Sequence, residues 1–122
     1  MAISLAESQV MEALWESNPL TAQQVFECLA PTVDWSQATV KTLLNRLLKK
    51  QAIHAARDGQ KFLYSPLISR DDYLSDQSKG FLDRVFGGDL PAMVSHFSQH
   101  EPLSRKDIDA LQEIITRLEN DD

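Results

Sequence analysis

Apolar residues recur at helical spacing in three successive stretches at the start of the chain. Between Asp34 and Gln51, the residues Val40, Leu43, Leu44 and Leu47 fall at i, i+3, i+4 and i+7, which predicts one buried face of a helix. A first helix is predicted over about 5–17, with Leu5, Val10, Leu14 and Trp15 inward, stopping at Ser17-Asn18-Pro19. A second is predicted over about 22–30, with Val25, Phe26 and Leu29 inward, ending before Pro31. The period then changes. The stretch "AIHAARDGQKFLYSP" (52–66) reads as two short extended runs joined at Asp58-Gly59, a favoured hairpin-turn pair. Ile53, Phe62 and Tyr64 are its strand formers and Pro66 ends it. After Leu67 the helical pattern returns over about 70–86, 89–100 and 105–119, interrupted by "GGD" and "EPLS".

Helix starts are marked by side chains that can satisfy the free N–H groups of a first turn. Ser4 with Glu7, Thr21 with Gln24, Ser69 with Asp72 and Ser104 with Asp107 each have the spacing of a capping pair. Asp34 or Ser36 can cap the third helix. Gln51 stands just after that helix, where a glycine would adopt the left-handed conformation most easily.

Three short helices, a hairpin and three more helices make a mostly α protein with a small β-hairpin wing. Residues 1–67 fit a winged helix-turn-helix domain, with "APTVDWS" as the turn, the third helix (36–50) as recognition helix and the hairpin (53–65) as wing. Residues 68–122 are expected to form a helical dimerisation domain. Its apolar positions Phe81, Val85, Met93, Val94, Phe97, Ile108, Leu111, Ile115 and Leu118 exceed what three short helices can bury alone.

Charge sharpens this picture. The chain of 122 residues carries a net charge of −6, which on its face disfavours a nucleic-acid partner. The distribution reverses that impression. Lys41, Arg46, Lys49, Lys50, Arg57 and Lys61 lie in one segment with Asp58 as its single acid, while the acidic excess lies after residue 67. The outer face of the third helix holds Gln37, Ala38, Lys41, Thr42, Asn45, Arg46 and Lys49. Ala38 and Thr39, near the start of the helix, are small enough for close approach to a groove, and a Thr or Ala methyl can meet a thymine methyl. Arg46 can fork to guanine or clamp a phosphate, and Asn45 can pair with adenine or a phosphate. Lys41 and Lys49 suit phosphate charge. Lys50 suits either a phosphate or the helix dipole. Arg57 and Lys61 flank the wing turn, where a backbone contact is expected.

Other chemistry is poorly supported. Cys28 is the sole cysteine, so no disulfide or cysteine-based metal site is expected, and at its spacing it should pack as a small apolar residue. No run reaches the length of a membrane span, and the N-terminus lacks the marks of a signal peptide, so the chain is expected to be cytoplasmic, without membrane insertion. His96 and His100 stand at i, i+4, a metal-binding spacing, but they make half a zinc site at most, and solvent-exposed histidines are the plainer reading. No phosphate-binding glycine loop and no triad is present. An enzyme is not expected, nor is a cofactor or metal.

The stretches "AESQVMEALW" (6–15), "DWSQATVKTLLNRLLKK" (34–50) and "GQKFLYSP" (59–66) resemble the BlaI/MecI/CopY family of bacterial repressors. The resemblance is carried by Glu7, Val10, Met11, Leu14 and Trp15 in the first helix. It continues through Trp35, Ser36, Thr39, Val40, Thr42, Leu43, Leu44, Arg46 and Leu47, and through Phe62 and Tyr64 in the wing. It implies a homodimer that binds double-stranded palindromic operator DNA and blocks transcription. In the beta-lactam branch a membrane sensor-protease lifts repression, and the corresponding bond here is His96–Phe97, with His96 in place of the usual Asn; the plainer alternative is that Phe97 is only a core anchor. The copper branch uses a C-terminal Cys-x-Cys tail, which this chain lacks. The competing reading is a winged helix used for protein–protein contact, and such domains do not usually keep a basic, uncluttered third-helix face.

Overall fold

In the computed structural model, which describes residues 2–121, the order is α1 (Leu5–Glu16), α2 (Ala22–Leu29), α3 (Gln37–Lys49), β1 (Ile53–Asp58), β2 (Lys61–Pro66), α4 (Arg70–Phe86), α5 (Leu90–His100) and α6 (Arg105–Asn120). The expected architecture of three helices, a hairpin and three helices is therefore observed. The chain divides into two compact units, Met1–Ser75 and Asp76–Asp122.

The helix starts follow the side-chain oxygens. Ser4–Glu7 and Thr21–Gln24 form reciprocal capping boxes. Ser36, rather than Asp34, caps α3 by accepting from the Thr39 N–H at 3.1 Å. Asp89 and Ser104 cap α5 and α6.

The core of the first unit is built where α1, α2, α3 and the hairpin converge. Val10, Met11, Leu14, Val25, Val40, Leu43, Leu44, Leu47, Ala52, Ile53 and Tyr64 are buried there. Two inward assignments fail. Leu5 is 81% exposed. The buried face of α1 is Glu7, Val10, Met11 and Leu14, and Leu5 lies half a turn away from Leu14. Cys28 is exposed because Val25 and Leu29 define a narrow stripe that leaves it on the flank of α2.

The strands pair antiparallel, with Ile53 opposite Pro66, Ala55 opposite Tyr64 and Arg57 opposite Phe62. Their loop is Gly59-Gln60, one residue further on than the Asp58-Gly59 pair, since Asp58 still pairs with Lys61. Gly59 has φ +66°, the left-handed value that a two-residue hairpin loop can require. The wing is tied to the helices twice. The Leu20 N–H donates to the Tyr64 carbonyl at 3.0 Å, and the Tyr64 N–H donates to the Leu20 carbonyl at 2.7 Å. At the other end, α3 passes into β1 through Lys50, Gln51 and Ala52 alone. The Ala52 N–H reaches the Leu47 carbonyl and the Gln51 N–H reaches that of Leu48, each at 3.0 Å. This is a Schellman ending, and Gln51 adopts φ +61° within it. The Leu67 N–H then closes onto the Ala52 carbonyl at 2.9 Å.

The first unit extends past Leu67 into α4. The Trp15 indole donates to the Ile68 carbonyl at 2.8 Å, its ring packs 5.3 Å from that of Tyr73, and Arg70 pairs with Glu12. In the second unit, none of the described residues of α5 and α6 is buried. Phe81, Phe86, Met93, Val94, His96, Phe97, Leu103 and Leu111 line an open apolar cavity of about 540 Å³. Phe97, Ile115 and Leu118 are 53%, 54% and 64% exposed.

Candidate nucleic-acid interface

One side of α3 is fastened by Val40, Leu43, Leu44 and Leu47, all buried. The 3.6-residue repeat then forces the intervening residues outward. Gln37, Ala38, Lys41, Thr42, Asn45, Arg46 and Lys49 are all exposed. The Thr42 hydroxyl donates to the Ala38 carbonyl one turn back at 3.0 Å, so its hydrogen is already committed to the helix.

The wing adds Arg57 and Lys61, both exposed. Arg57 is held in place: its Nε–H donates to the Gly59 carbonyl at 3.0 Å, and its guanidinium lies 5.6 Å from the centre of the Phe62 ring. Among the described residues, Lys41, Arg46, Lys49, Arg57 and Lys61 form no ion pair, whereas Lys50 pairs with Glu7, Arg70 with Glu12 and Arg105 with Asp109. In the first unit, the side-chain cations without an ion pair among the described residues all lie on α3 and the wing.

Two concavities adjoin this face. One, about 220 Å³, is lined by Thr21, Gln23, Lys41, Lys61, Phe62 and Tyr64 among others. The next, about 260 Å³, is lined by Ala22, Gln23, Gln37, Ala38 and Lys41. Thr21 and Gln23 were not legible as part of this face. The capping box marked the start of α2, but only the Leu20–Tyr64 pairing brings that start beside the wing.

Lys50 is removed from the phosphate-facing set. Its Nζ donates to Glu7 Oε1 at 2.6 Å and to the Ala2 carbonyl at 2.8 Å. Glu7 is 2% exposed. Burial raises its pKa, but the hydrogen bond from Lys50, the backbone and hydroxyl of Ser4, and the Lys50 charge together outweigh that and hold it below the ordinary value of 4.5. Glu7 Oε2 is buried without a partner among the described residues. No sequence spacing signals this pair, which links residues in α1 and at the end of α3.

The rings of His96 and His100 lie 4.6 Å apart. Among the described residues, no group of three or more His, Cys, Asp and Glu side chains is placed to hold a metal ion. Among the same residues, no helix is long and apolar enough to cross a membrane.

A family model described as "Penicillinase repressor" matches residues 3–117. The chain belongs to the penicillinase repressor family. The penicillinase repressor of Bacillus licheniformis is 36% identical over 118 residues, covering 97% of this chain and 92% of that one. The solution structure of the DNA-binding domain of the repressor BlaI is 38% identical with a TM-score of 0.54, covering 58% of this chain and 87% of that one. The monomeric form of Bacillus licheniformis BlaI in complex with the blaP half-operator is 37% identical with a TM-score of 0.53, covering 60% of this chain and 89% of that one. In this member of the penicillinase repressor family, the matched residues 3–117 include the winged helix-turn-helix that carries the basic face.

Proposed function

We propose that the protein is a transcriptional repressor that binds operator DNA as a homodimer in the cytoplasm, with α3 in the major groove and the wing on the flanking backbone. The observation that carries this reading is the outer face of α3 and the wing: exposed, basic and without carboxylate partners in an otherwise acidic chain. Gln37, Ala38 and Thr42, in the first half of α3, approach base edges, with Lys41 beside them on a phosphate. Arg46 and Lys49, in the last turn, and Arg57 and Lys61 on the wing neutralise phosphates. Asn45 bridges the two sets. The relative captured on a half-operator as a monomer supports one winged domain per half-site, with half-sites about 10 bp or a multiple apart.

Residues 68–122 supply the dimer. The exposed apolar side chains of α4, α5 and α6 support this, because a monomer would leave them in water. A membrane sensor-protease that cuts at His96–Phe97 would part α6 from α4 and most of α5. Each monomer would then bind its half-site without the gain in effective concentration that a linked partner gives.

The test is a mobility shift with the DNA upstream of the protein's own gene, repeated over a range of salt. Binding should weaken steeply with salt. Arg46→Ala and Lys49→Ala should each shrink the slope of log K against log salt by about 0.9. Salt-independent binding, or folded variants that bind like wild type, would overturn the proposal.

A further inference from the structure

Arg57 and Phe62 stand directly opposite one another across the hairpin. Tyr64 shares their face and is 7% exposed, packed in the core, whereas Phe62 is 47% exposed. Core burial therefore accounts for Tyr64 and does not account for Phe62. What Phe62 does touch is Arg57, whose guanidinium lies over its ring, and it lines the concavity shared with Lys41 and Lys61.

We propose that Phe62 is a positioning residue for DNA binding: its ring and the Gly59 carbonyl hold Arg57 ready to clamp a phosphate beside the wing. This rests on the DNA-binding reading above. Arginine loses much rotamer freedom when it fixes a ligand, so a side chain already held on two sides binds more tightly than a free one. The Gly59 bond uses only Nε–H. The two Nη groups, which carry the remaining donors, have no hydrogen-bond or ion-pair partner among the described residues and match the two oxygens of a phosphate. The ring face is itself negative and would repel a phosphate if bare. With the guanidinium across it, the same spot becomes attractive to an anion.

The experiment uses the full-length protein and two duplexes: one selected by the wild-type chain from a random-sequence pool, and one unrelated duplex of equal length. Kd is measured against salt for Arg57→Ala, Phe62→Leu, Phe62→Tyr, the Arg57→Ala/Phe62→Leu double variant and Lys41→Ala, with thermal unfolding recorded for each. Arg57→Ala should weaken binding to both duplexes about tenfold and shrink the salt slope by about 0.9. Phe62→Leu should weaken it about two- to fivefold, the effect of an exposed cation–π contact. Phe62→Tyr, which keeps the ring, should bind like wild type, and the double variant should bind no worse than Arg57→Ala. A silent Phe62→Leu, or a Phe62→Leu loss that persists in full without Arg57, would overturn the positioning role while leaving DNA binding intact. If Arg57→Ala and Lys41→Ala both bind like wild type, the DNA-binding reading falls and the positioning role falls with it.

Discussion

Lys50, at the end of the recognition helix, hydrogen-bonds at 2.6 Å to Glu7, a carboxylate buried in the first turns of the chain. A residue that sequence reasoning offered to phosphate is thereby committed to the domain's interior. Removing it would leave a buried charge unpaired. Lys50→Met should lower unfolding free energy by roughly 2–3 kcal/mol, less than for a fully buried pair because Lys50 is partly exposed. Glu7 titrates below its ordinary value of 4.5, so its ionised form favours folding above that value. The contribution disappears as pH falls through the depressed folded value. Urea unfolding of wild type and Glu7→Gln should therefore differ at neutral pH and converge in acid. A gap that widens on acidification would contradict this.

Gln51 occupies a left-handed conformation between α3 and β1. Gln51→Gly should raise stability by about 0.5–1 kcal/mol, relief of the side-chain clash being partly offset by the freer unfolded chain. Gln51→Val should lower stability. Chemical denaturation of the three proteins orders them, and a stabilised valine variant would refute the assignment.

Because the Thr42 hydroxyl donates its hydrogen to Ala38, what it can offer a base edge is its methyl and an acceptor oxygen, and the methyl is the group expected to make the contact. Thr42→Val should leave affinity for the selected duplex almost unchanged. Thr42→Ser should reduce it by about 0.8 kcal/mol, the worth of one buried methyl-sized group. The opposite ordering would mean that the hydroxyl, as acceptor or as a donor freed from Ala38, reads DNA directly.

Leu111 lines the apolar cavity of the second unit and is 39% exposed. Leu111→Asp should shift a dimer toward monomer, and Kd for a two-half-site duplex should rise while Kd for a single half-site stays within about twofold. Sedimentation reads the first effect and a mobility shift the second. A wild-type chain that sediments as a stable monomer at micromolar concentration would remove the basis for both.

The His96–Phe97 bond lies inside α5. A protease that needs extended substrate reaches it only through local unfolding. Co-expression with the cognate membrane protease under inducing conditions should yield fragments ending at His96 and beginning at Phe97, identified by mass. An intact chain with repression lost would point to another route of induction.

Much of the first unit was legible because its signals are local. Capping pairs span one turn, the four buried residues of α3 repeat within a dozen positions, and the change of period at Ala52 announces the hairpin. The outer face of α3 followed directly, since fastening one side of a helix determines the other. What escaped depends on contacts between distant stretches. An acid in the core-facing slot of α1 is unreadable until Lys50 is found beside it, and Leu5 lies off the face that Glu7, Val10, Met11 and Leu14 bury. Phe62 reads as strand filling until its ring is seen exposed beneath Arg57.

The Leu20–Tyr64 pairing fastens the start of α2 to the wing, and the three-residue junction of Lys50, Gln51 and Ala52 leaves little slack between α3 and that same wing. The jaws that would meet successive phosphates are thus set at one opening, like a caliper that has been locked. A duplex docked against a locked caliper must do the bending itself. Its stiffness then enters the binding free energy, and base-pair steps that no side chain touches gain a say in which DNA is chosen.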